Sequence, residues 1–133
     1  MELGQSPAGL AQVPLTVTGD KIHRFTVEVA ATPQEQSRGL MFRESLAPDR
    51  GMIFPLGAPR IASFWMKDTL IPLDIIFVRA DGRITNIEAN TVPLSLEPVL
   101  SYEEVTAVLE IAGGRAAELG IKPGDKVEWS AAN

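Results

Sequence analysis

The sequence predicts a mainly β protein, folded as a β-sandwich or a small distorted barrel. About eight short runs with strand character are separated by turn-forming residues at close spacing, a pattern typical of these architectures. Only two segments carry helical signals, and both are short. The 133 residues correspond to a single domain, which is long enough to bury an apolar core without disulfides or metal ions.

The first two strands are predicted to form a hairpin with one solvated face. Residues 13–18 alternate between apolar and polar side chains, and residues 19–21 (Gly-Asp-Lys) can turn the chain. In residues 24–29 the same alternation separates Phe25, Val27 and Val29 from Arg24, Thr26 and Glu28, which are expected to face solvent.

The first helix is predicted over Pro33–Arg38. Thr32 is a favourable N-cap, Pro33 suits the first helical position, and Glu35 is spaced for a capping box. Gly39 then ends the helix.

The middle of the chain predicts strands at residues 52–54 and 61–66, with a loop at 55–59 between them. Residues 73–78 are apolar on both faces, which indicates a central strand.

The remaining elements follow from turn signals and alternation. Asp81-Gly82 supplies the positive φ angles of a tight hairpin turn, so residues 83–89 are predicted to return as a strand. Residues 90–98 are then predicted to be irregular, and residues 105–111 to form a strand. A helical turn is predicted at residues 115–119 and the last strand at residues 126–129.

The composition excludes several classes of function. The net charge of −5 disfavours a nucleic-acid groove or an anionic membrane surface. The absence of cysteine excludes disulfides, thiolate metal sites and a cysteine nucleophile, and the single histidine, His23, excludes a histidine metal cluster. We therefore expect no cofactor, no metal ion and no nucleic-acid partner.

The ends of the chain are predicted to be tails around a globular domain at residues 13–130. Residues 1–12 read as a flexible N-terminal tail and residues 131–133 as a C-terminal tail. Residues 4–9 have a spacer composition, which fits either a natural N-terminus or the chain that follows an export leader. No apolar run approaches the ~20 residues of a transmembrane segment.

Two motifs in this chain are distinctive, Arg38-Gly39-Leu40-Met41-Phe42-Arg43 and Phe64-Trp65-Met66-Lys67-Asp68-Thr69. The accompanying pieces are Gly51-Met52-Ile53-Phe54, Ile71-Pro72-Leu73-Asp74, Asp81-Gly82-Arg83-Ile84, Val108-Leu109-Glu110-Ile111 and Pro123-Gly124-Asp125. With these motifs, nearly the whole stretch from Phe25 to Val127 resembles the bacterial and archaeal family catalogued as domain of unknown function 192.

The resemblance implies a jelly-roll-like β-sandwich, and it implies no activity, because the family has none assigned. Many relatives are preceded by an export leader, which favours an exported or periplasmic location over a cytoplasmic one. The chain departs from the family at Asp68, where Asn is common. Both residues can close a turn, but Asp adds a charge, which weakens any role for a neutral amide there.

Two carboxylates, Asp74 and Glu110, lie on predicted strands among apolar neighbours. A lone buried carboxylate is costly, so each requires a hydrogen-bond donor or a cation. Arg38 and Lys67 are the candidate partners. We predict that Arg38, Asp74 and Glu110 converge near Trp65, either as a structural ion-pair network, which is favoured, or as the floor of a pocket.

The residues around Trp65 have two interpretations. Lys67, Asp68 and Thr69 lie between two predicted strands, where short polar residues usually close turns, and this structural interpretation is favoured. Alternation places Trp65 on the face opposite Phe64, where an exposed indole beside a cleft would suit a sugar ring or a peptide.

Three functions remain open from the sequence. The favoured one is a non-enzymatic module that binds an unknown small ligand, peptide or saccharide through Arg38, Met41, Trp65, Lys67, Asp68, Asp74 and Glu110. The second is a saccharide hydrolase or lyase with Asp74 and Glu110 as catalytic acid and base, which requires both carboxyls in one cleft at about 5–10 Å. The third is a structural protein-interaction domain with an exposed apolar patch.

Overall fold

The computed structural model describes residues 2–130 and contains nine strands and two short helices within that range, as a mainly β fold requires. In chain order they are β1 (Gln12–Thr18), β2 (Ile22–Val29), α1 (Pro33–Arg38), β3 (Arg50–Arg60), β4 (Ser63–Phe64), β5 (Leu73–Val78), β6 (Ile84–Glu88), β7 (Val99–Leu100), β8 (Val105–Ala112), α2 (Arg115–Leu119) and β9 (Lys126–Trp129). Met1 and the predicted C-terminal tail at 131–133 lie outside the described residues.

Seven strands form one mixed sheet in the order β6-β5-β8-β3-β2-β1-β9. Neighbouring strands are antiparallel except β2 and β3, which run parallel. The two outer strands approach each other at a bridge between Arg83 and Lys126, where the N–H of Ile84 also donates to the carbonyl of Asp125 at 2.9 Å. The sheet is therefore curled like a distorted barrel, although no continuous ladder closes it within residues 2–130. Strands β4 and β7 form a separate two-stranded sheet.

Apolar side chains are buried on both faces of the sheet. One core contains residues from all seven strands of the sheet together with Ala116 of α2. The second core lies on the opposite face of β3, β5 and β8, where Leu40, Ala62 and Met66 from the connecting segments cover it. Strand β5 is buried along its whole length, as expected for a strand that is apolar on both faces.

Helix α1 has the bounds and the capping box that the sequence predicts. The hydroxyl of Thr32 accepts from the N–H of Glu35 at 3.1 Å, and the Glu35 carboxylate accepts from the N–H of Thr32 at 3.0 Å. Gly39 follows the helix with φ 49° and ψ −129°, a conformation that favours glycine.

The predicted loop at residues 55–59 is wrong, because β3 continues to Arg60. The pairing with β8 shifts register between Pro55 and Arg60, and such an irregularity tolerates proline, which cannot donate to a regular ladder. The strand predicted at residues 61–66 is shorter in the structure, where only Ser63–Phe64 form β4.

The solvated face predicted for β2 is also wrong at Glu28, which is buried. The connection after α1 brings Arg43 over this position, and its guanidinium donates to both carboxylate oxygens of Glu28, at 2.5 and 3.1 Å. A bidentate arginine offsets the cost of burying the carboxylate.

Candidate functional site

A cleft opens on the outer face of the sheet, between α1, the end of β3 and β4. Its volume is about 350 Å³, within the ~300–1,000 Å³ range of small-molecule sites. The lining side chains include Arg38, Met41, Arg60, Phe64, Trp65 and Glu110.

A shallower groove continues from the cleft toward the turn after β4. It shares Arg38, Met41 and Trp65 with the cleft and adds Phe42, Lys67 and Asp68. The N–H of Phe42 donates to the carbonyl of Asp68 at 2.8 Å, so the connection after α1 is tied to this turn. The cleft and the groove therefore share one wall.

Helix α1 is held against β3 by the side chain of Gln36. Its amide donates to the carbonyls of Ala30 at 3.0 Å and Pro55 at 2.7 Å. At the other end of the helix, a Cβ on Gly39 would lie 3.4 Å from the ring of Phe54. The two hydrogen bonds of Gln36 hold the helix in place, and the helix forms one wall of the cleft.

Glu110 forms the floor of the cleft. Strand β8 places it between Met52 of β3 and Ile75 of β5, two buried apolar residues, and only 4% of Glu110 is exposed. Within residues 2–130 no group donates a hydrogen bond to its carboxyl. Burial raises the pKa of Glu110 to about 8, so at neutral pH the group is a carboxylic acid whose O–H can donate to a ligand.

The rim of the cleft and groove carries cations stacked on aromatic rings. The guanidinium of Arg38 lies 5.6 Å from the ring centroid of Phe42, and Nζ of Lys67 lies 5.3 Å from that of Trp65. Trp65 is 49% exposed, so its indole is available as a flat apolar surface.

Asp74 is not part of this site, and the predicted convergence of Arg38, Asp74 and Glu110 is wrong. Asp74 lies opposite Ile111 in the β5–β8 ladder, while Glu110 lies opposite Ile75. Directly opposed residues share a face and consecutive residues alternate, so the two carboxyls point to opposite faces of the sheet.

The carboxylate of Asp74 is fully buried and serves the backbone. One oxygen accepts from the N–H groups of Asn90 and Gly114, both at 2.9 Å, and the other accepts from the N–H of Ala116 at 2.8 Å. These bonds hold the start of α2 and the segment after β6 against β5. The carboxylate thus has a structural role that requires no cation.

The other residues singled out in the sequence lie along the cleft and groove: Arg38, Met41, Trp65, Lys67, Asp68 and Glu110. Sequence reasoning missed Arg60 and Gln36. Arg60 was missed because residues 55–59 were predicted to be a loop, whereas β3 continues to Arg60. Gln36 carried no signal, because its role depends on carbonyl groups that are distant in the chain.

A separate apolar surface is carried by the segments on either side of the β4–β7 pair. The two segments are joined by bonds from the N–H of Leu94 to the carbonyl of Thr69 at 3.0 Å and from the N–H of Met66 to that of Ser95 at 2.9 Å. The large apolar side chains exposed on β7 and on the residues before and after β4 and β7 are Ile61, Leu70, Val92, Leu94, Leu96, Leu100 and Tyr102.

In the described part of the chain, no group of three or more His, Cys, Asp or Glu side chains is placed to hold a metal ion. No helix between residues 2 and 130 has the length and apolar character needed to cross a membrane.

Comparisons with known proteins agree with the motifs noted in the sequence. A family model described as "Uncharacterized ACR", domain of unknown function 192, matches residues 14–129. A crystal structure of a protein of unknown function from Novosphingobium aromaticivorans DSM 12444 is 52% identical, with a TM-score of 0.93, and the match covers 97% of this chain and 93% of that chain.

A second similar crystal structure comes from Sinorhizobium meliloti 1021 and is described as a "putative transcription regulator". It is 40% identical, with a TM-score of 0.87 over 90% of this chain and 95% of that chain. That description concerns the Sinorhizobium protein. No curated protein matches this chain.

Proposed function

This chain belongs to the family described as Uncharacterized ACR, domain of unknown function 192, and within it we propose a non-enzymatic module that binds a small ligand, a saccharide or short peptide, in the cleft beside α1. The proposal places the ligand between the floor at Glu110 and the rim at Arg38 and Trp65.

The buried carboxyl of Glu110 carries the proposal. A carboxyl placed among apolar strands needs a hydrogen-bond partner, which the protein, water or a ligand can supply. Glu28 shows the usual solution, because Arg43 pairs with it. Glu110 instead lines a cleft. Among the described residues no fully buried side-chain oxygen lacks a partner, so the carboxyl is open to the cleft, where a ligand can form a hydrogen bond with it.

The walls of the cleft suit a ligand with one flat apolar side. The half-exposed indole of Trp65 can stack on a sugar ring or an apolar peptide side chain, and Met41 is an adaptable neighbour. Polar contacts from the rim would orient such a ligand.

The carboxylate-based hydrolase or lyase has no support in this geometry. An acid and a base must flank the same bond, and Asp74 lies on the opposite face of the sheet from Glu110. We therefore favour binding over catalysis.

We extend the proposal to location and suggest that the module acts outside the cytoplasm. The support is the export leaders implied by the family resemblance. Fractionation of cells that express the native gene would test it: recovery in the cytoplasmic fraction contradicts this extension and leaves ligand binding untouched.

A protein contact is the second candidate function, and the apolar surface around β4 and β7 favours it. A concentration of exposed large apolar side chains often marks an interaction site. Leu96→Asp, at an exposed position in this surface, should weaken such a contact in a cross-linking experiment. Identical cross-links for the variant and the wild type would contradict this candidate.

Ligand binding is tested by thermal unfolding against neutral saccharides, acidic saccharides and short peptides. A ligand present at about 100 times its Kd stabilises the folded protein by about 2.7 kcal/mol. We expect a raised Tm for the wild type and for Tyr102→Ala, an exposed aromatic outside the cleft, but not for Trp65→Ala. The proposal is overturned if nothing in the panel raises the Tm, or if Trp65→Ala responds like the wild type.

A further inference from the structure

The cleft carries positive charge although the whole chain is acidic. The net charge is −5, yet Arg38 and Arg60 line the cleft, and the adjoining groove adds Lys67 together with Asp68. None of these three cations forms a salt bridge with any residue in the range 2–130. Uncompensated cations around a recess attract anions and raise their local concentration.

The floor of the cleft does not oppose this charge. Glu110 is the acidic residue among the described residues that line the cleft. Because burial raises the pKa of its carboxyl to about 8, it is neutral at pH 7. The residues beside it on β3 and β5, Met52 and Ile75, carry no charge, and the charged groups that share the cleft with it are Arg38 and Arg60.

The guanidinium of Arg38, at the rim of the cleft, is oriented so that it can bind a ligand. Its guanidinium lies over the face of the Phe42 ring, an arrangement that leaves the N–H groups in the guanidinium plane free to donate. A planar guanidinium matches a carboxylate through two parallel hydrogen bonds.

We propose that the cleft recognises a ligand bearing a carboxylate, which pairs with Arg38 and Arg60 while its body lies on Trp65 and an acceptor atom meets Glu110. This inference rests on the small-ligand function proposed above and names the chemistry of that ligand. Two sources share this chemistry, an acidic saccharide built from uronic acids and the free C-terminus of a short peptide.

Matched pairs of probes distinguish the contribution of the ligand's charge to the affinity from the contribution of the rest of the ligand. We suggest titration calorimetry with trigalacturonate and its methyl ester, and with trialanine and its C-terminal amide. One free acid should bind at least 10-fold more tightly than its neutral counterpart, and the pair that shows this difference identifies the source. Binding of the acid should weaken as salt is added.

Variants locate the carboxylate. Arg38→Gln should weaken binding of the acid at least 10-fold and weaken binding of its neutral counterpart much less, so that the preference for the acid is lost. Arg24→Gln, an exposed arginine on β2 outside the cleft, should change neither. Lys67→Gln, in the outer groove, should have a smaller effect than Arg38→Gln. Circular dichroism of each variant separates lost binding from lost folding.

The outcomes distinguish this inference from the function on which it rests. Equal affinity for an acid and its neutral counterpart overturns carboxylate recognition but preserves small-ligand binding. If the four probes fail while another compound in the thermal panel binds at Trp65, only the carboxylate inference falls. If nothing binds in either experiment, both fall.

A pH series provides a readout that a general electrostatic effect would not produce. The series uses trigalacturonate or N-acetylated trialanine, because the free α-amine of trialanine itself titrates near pH 8. The affinity for the free acid should decline as pH rises above 8, because ionised Glu110 would then repel the ligand. Glu110→Gln should bind the acid with an affinity that does not change across this interval. The same decline in both proteins would overturn the role assigned to the cleft floor.

Discussion

Two buried glutamates of this protein, Glu28 and Glu110, have opposite hydrogen-bonding environments. Glu28 lies under Arg43, which donates to both of its oxygens. Glu110 is buried between Met52 and Ile75 and receives no hydrogen bond from the described part of the chain. The first arrangement stabilises the fold, whereas the second leaves a polar group available at the floor of a cleft.

Glu110 should make the stability of the protein depend on pH. Its pKa is about 8 when folded and about 4.3 in an unfolded chain. Between these values the folded state keeps the proton and the unfolded state loses it, so the free energy of unfolding falls as pH rises. The slope approaches about 1.4 kcal/mol per pH unit and levels off above pH 8.

Urea unfolding at several pH values between 5 and 9 would check this dependence. Glu110→Gln cannot ionise, so it should lack this contribution and be more stable than the wild type above pH 8. Glu104→Gln, at an exposed position, is the matched control and should retain the wild-type slope. Parallel stability curves for the wild type and Glu110→Gln would contradict the prediction.

At the scale of elements, a single aspartate joins three segments of backbone. The carboxylate of Asp74 on β5 accepts from Asn90 after β6 and from Gly114 and Ala116 at the start of α2. Helix α2 has only five residues and no side-chain cap of its own. Its position therefore depends on the carboxylate of the neighbouring strand.

Asp74→Asn should be strongly destabilising. The amide NH₂ cannot accept a hydrogen bond, so at least one buried N–H loses its partner, at a cost of about 2–4 kcal/mol. Chemical denaturation measures this loss, with the exposed Asp49→Asn as a control that should cost less than about 0.5 kcal/mol. Asp74→Asn that unfolds like the wild type but no longer binds a cleft ligand would show that we have misassigned Asp74.

At the scale of the whole molecule, stability should concentrate in the middle of the curled sheet. Strands β3, β5 and β8 are hydrogen-bonded on both sides and covered by a separate apolar core on each face. The segment 91–104 contains only the two-residue strand β7 and exposes several large apolar side chains.

Native-state hydrogen exchange should reveal this difference. Amides in β8 and β5 should exchange only through global unfolding, and most amides in residues 91–104 should exchange by local opening at lower free energy. If the two regions exchanged at the same rate at every denaturant concentration, the sheet and this segment would unfold as one unit, contrary to this expectation.

The elements of this protein were determined largely by local sequence. Helix α1, strands β5 and β9 and helix α2 have the bounds that caps, alternation and turn residues predict. These signals are reliable because each depends on backbone conformations and hydrogen bonds among residues a few positions apart. The family resemblance also came from the sequence alone.

The tertiary structure decided which polar groups meet. Alternation shows that Asp74 shares a face with Ile76, but not whether that face coincides with the face of Glu110 on β8. The register decides this, and pairing Ile75 with Glu110 separates the two carboxyls. Burial of Glu28 under Arg43 and the wall contributed by Arg60 likewise arise from segments distant in the chain, whose approach no local pattern encodes.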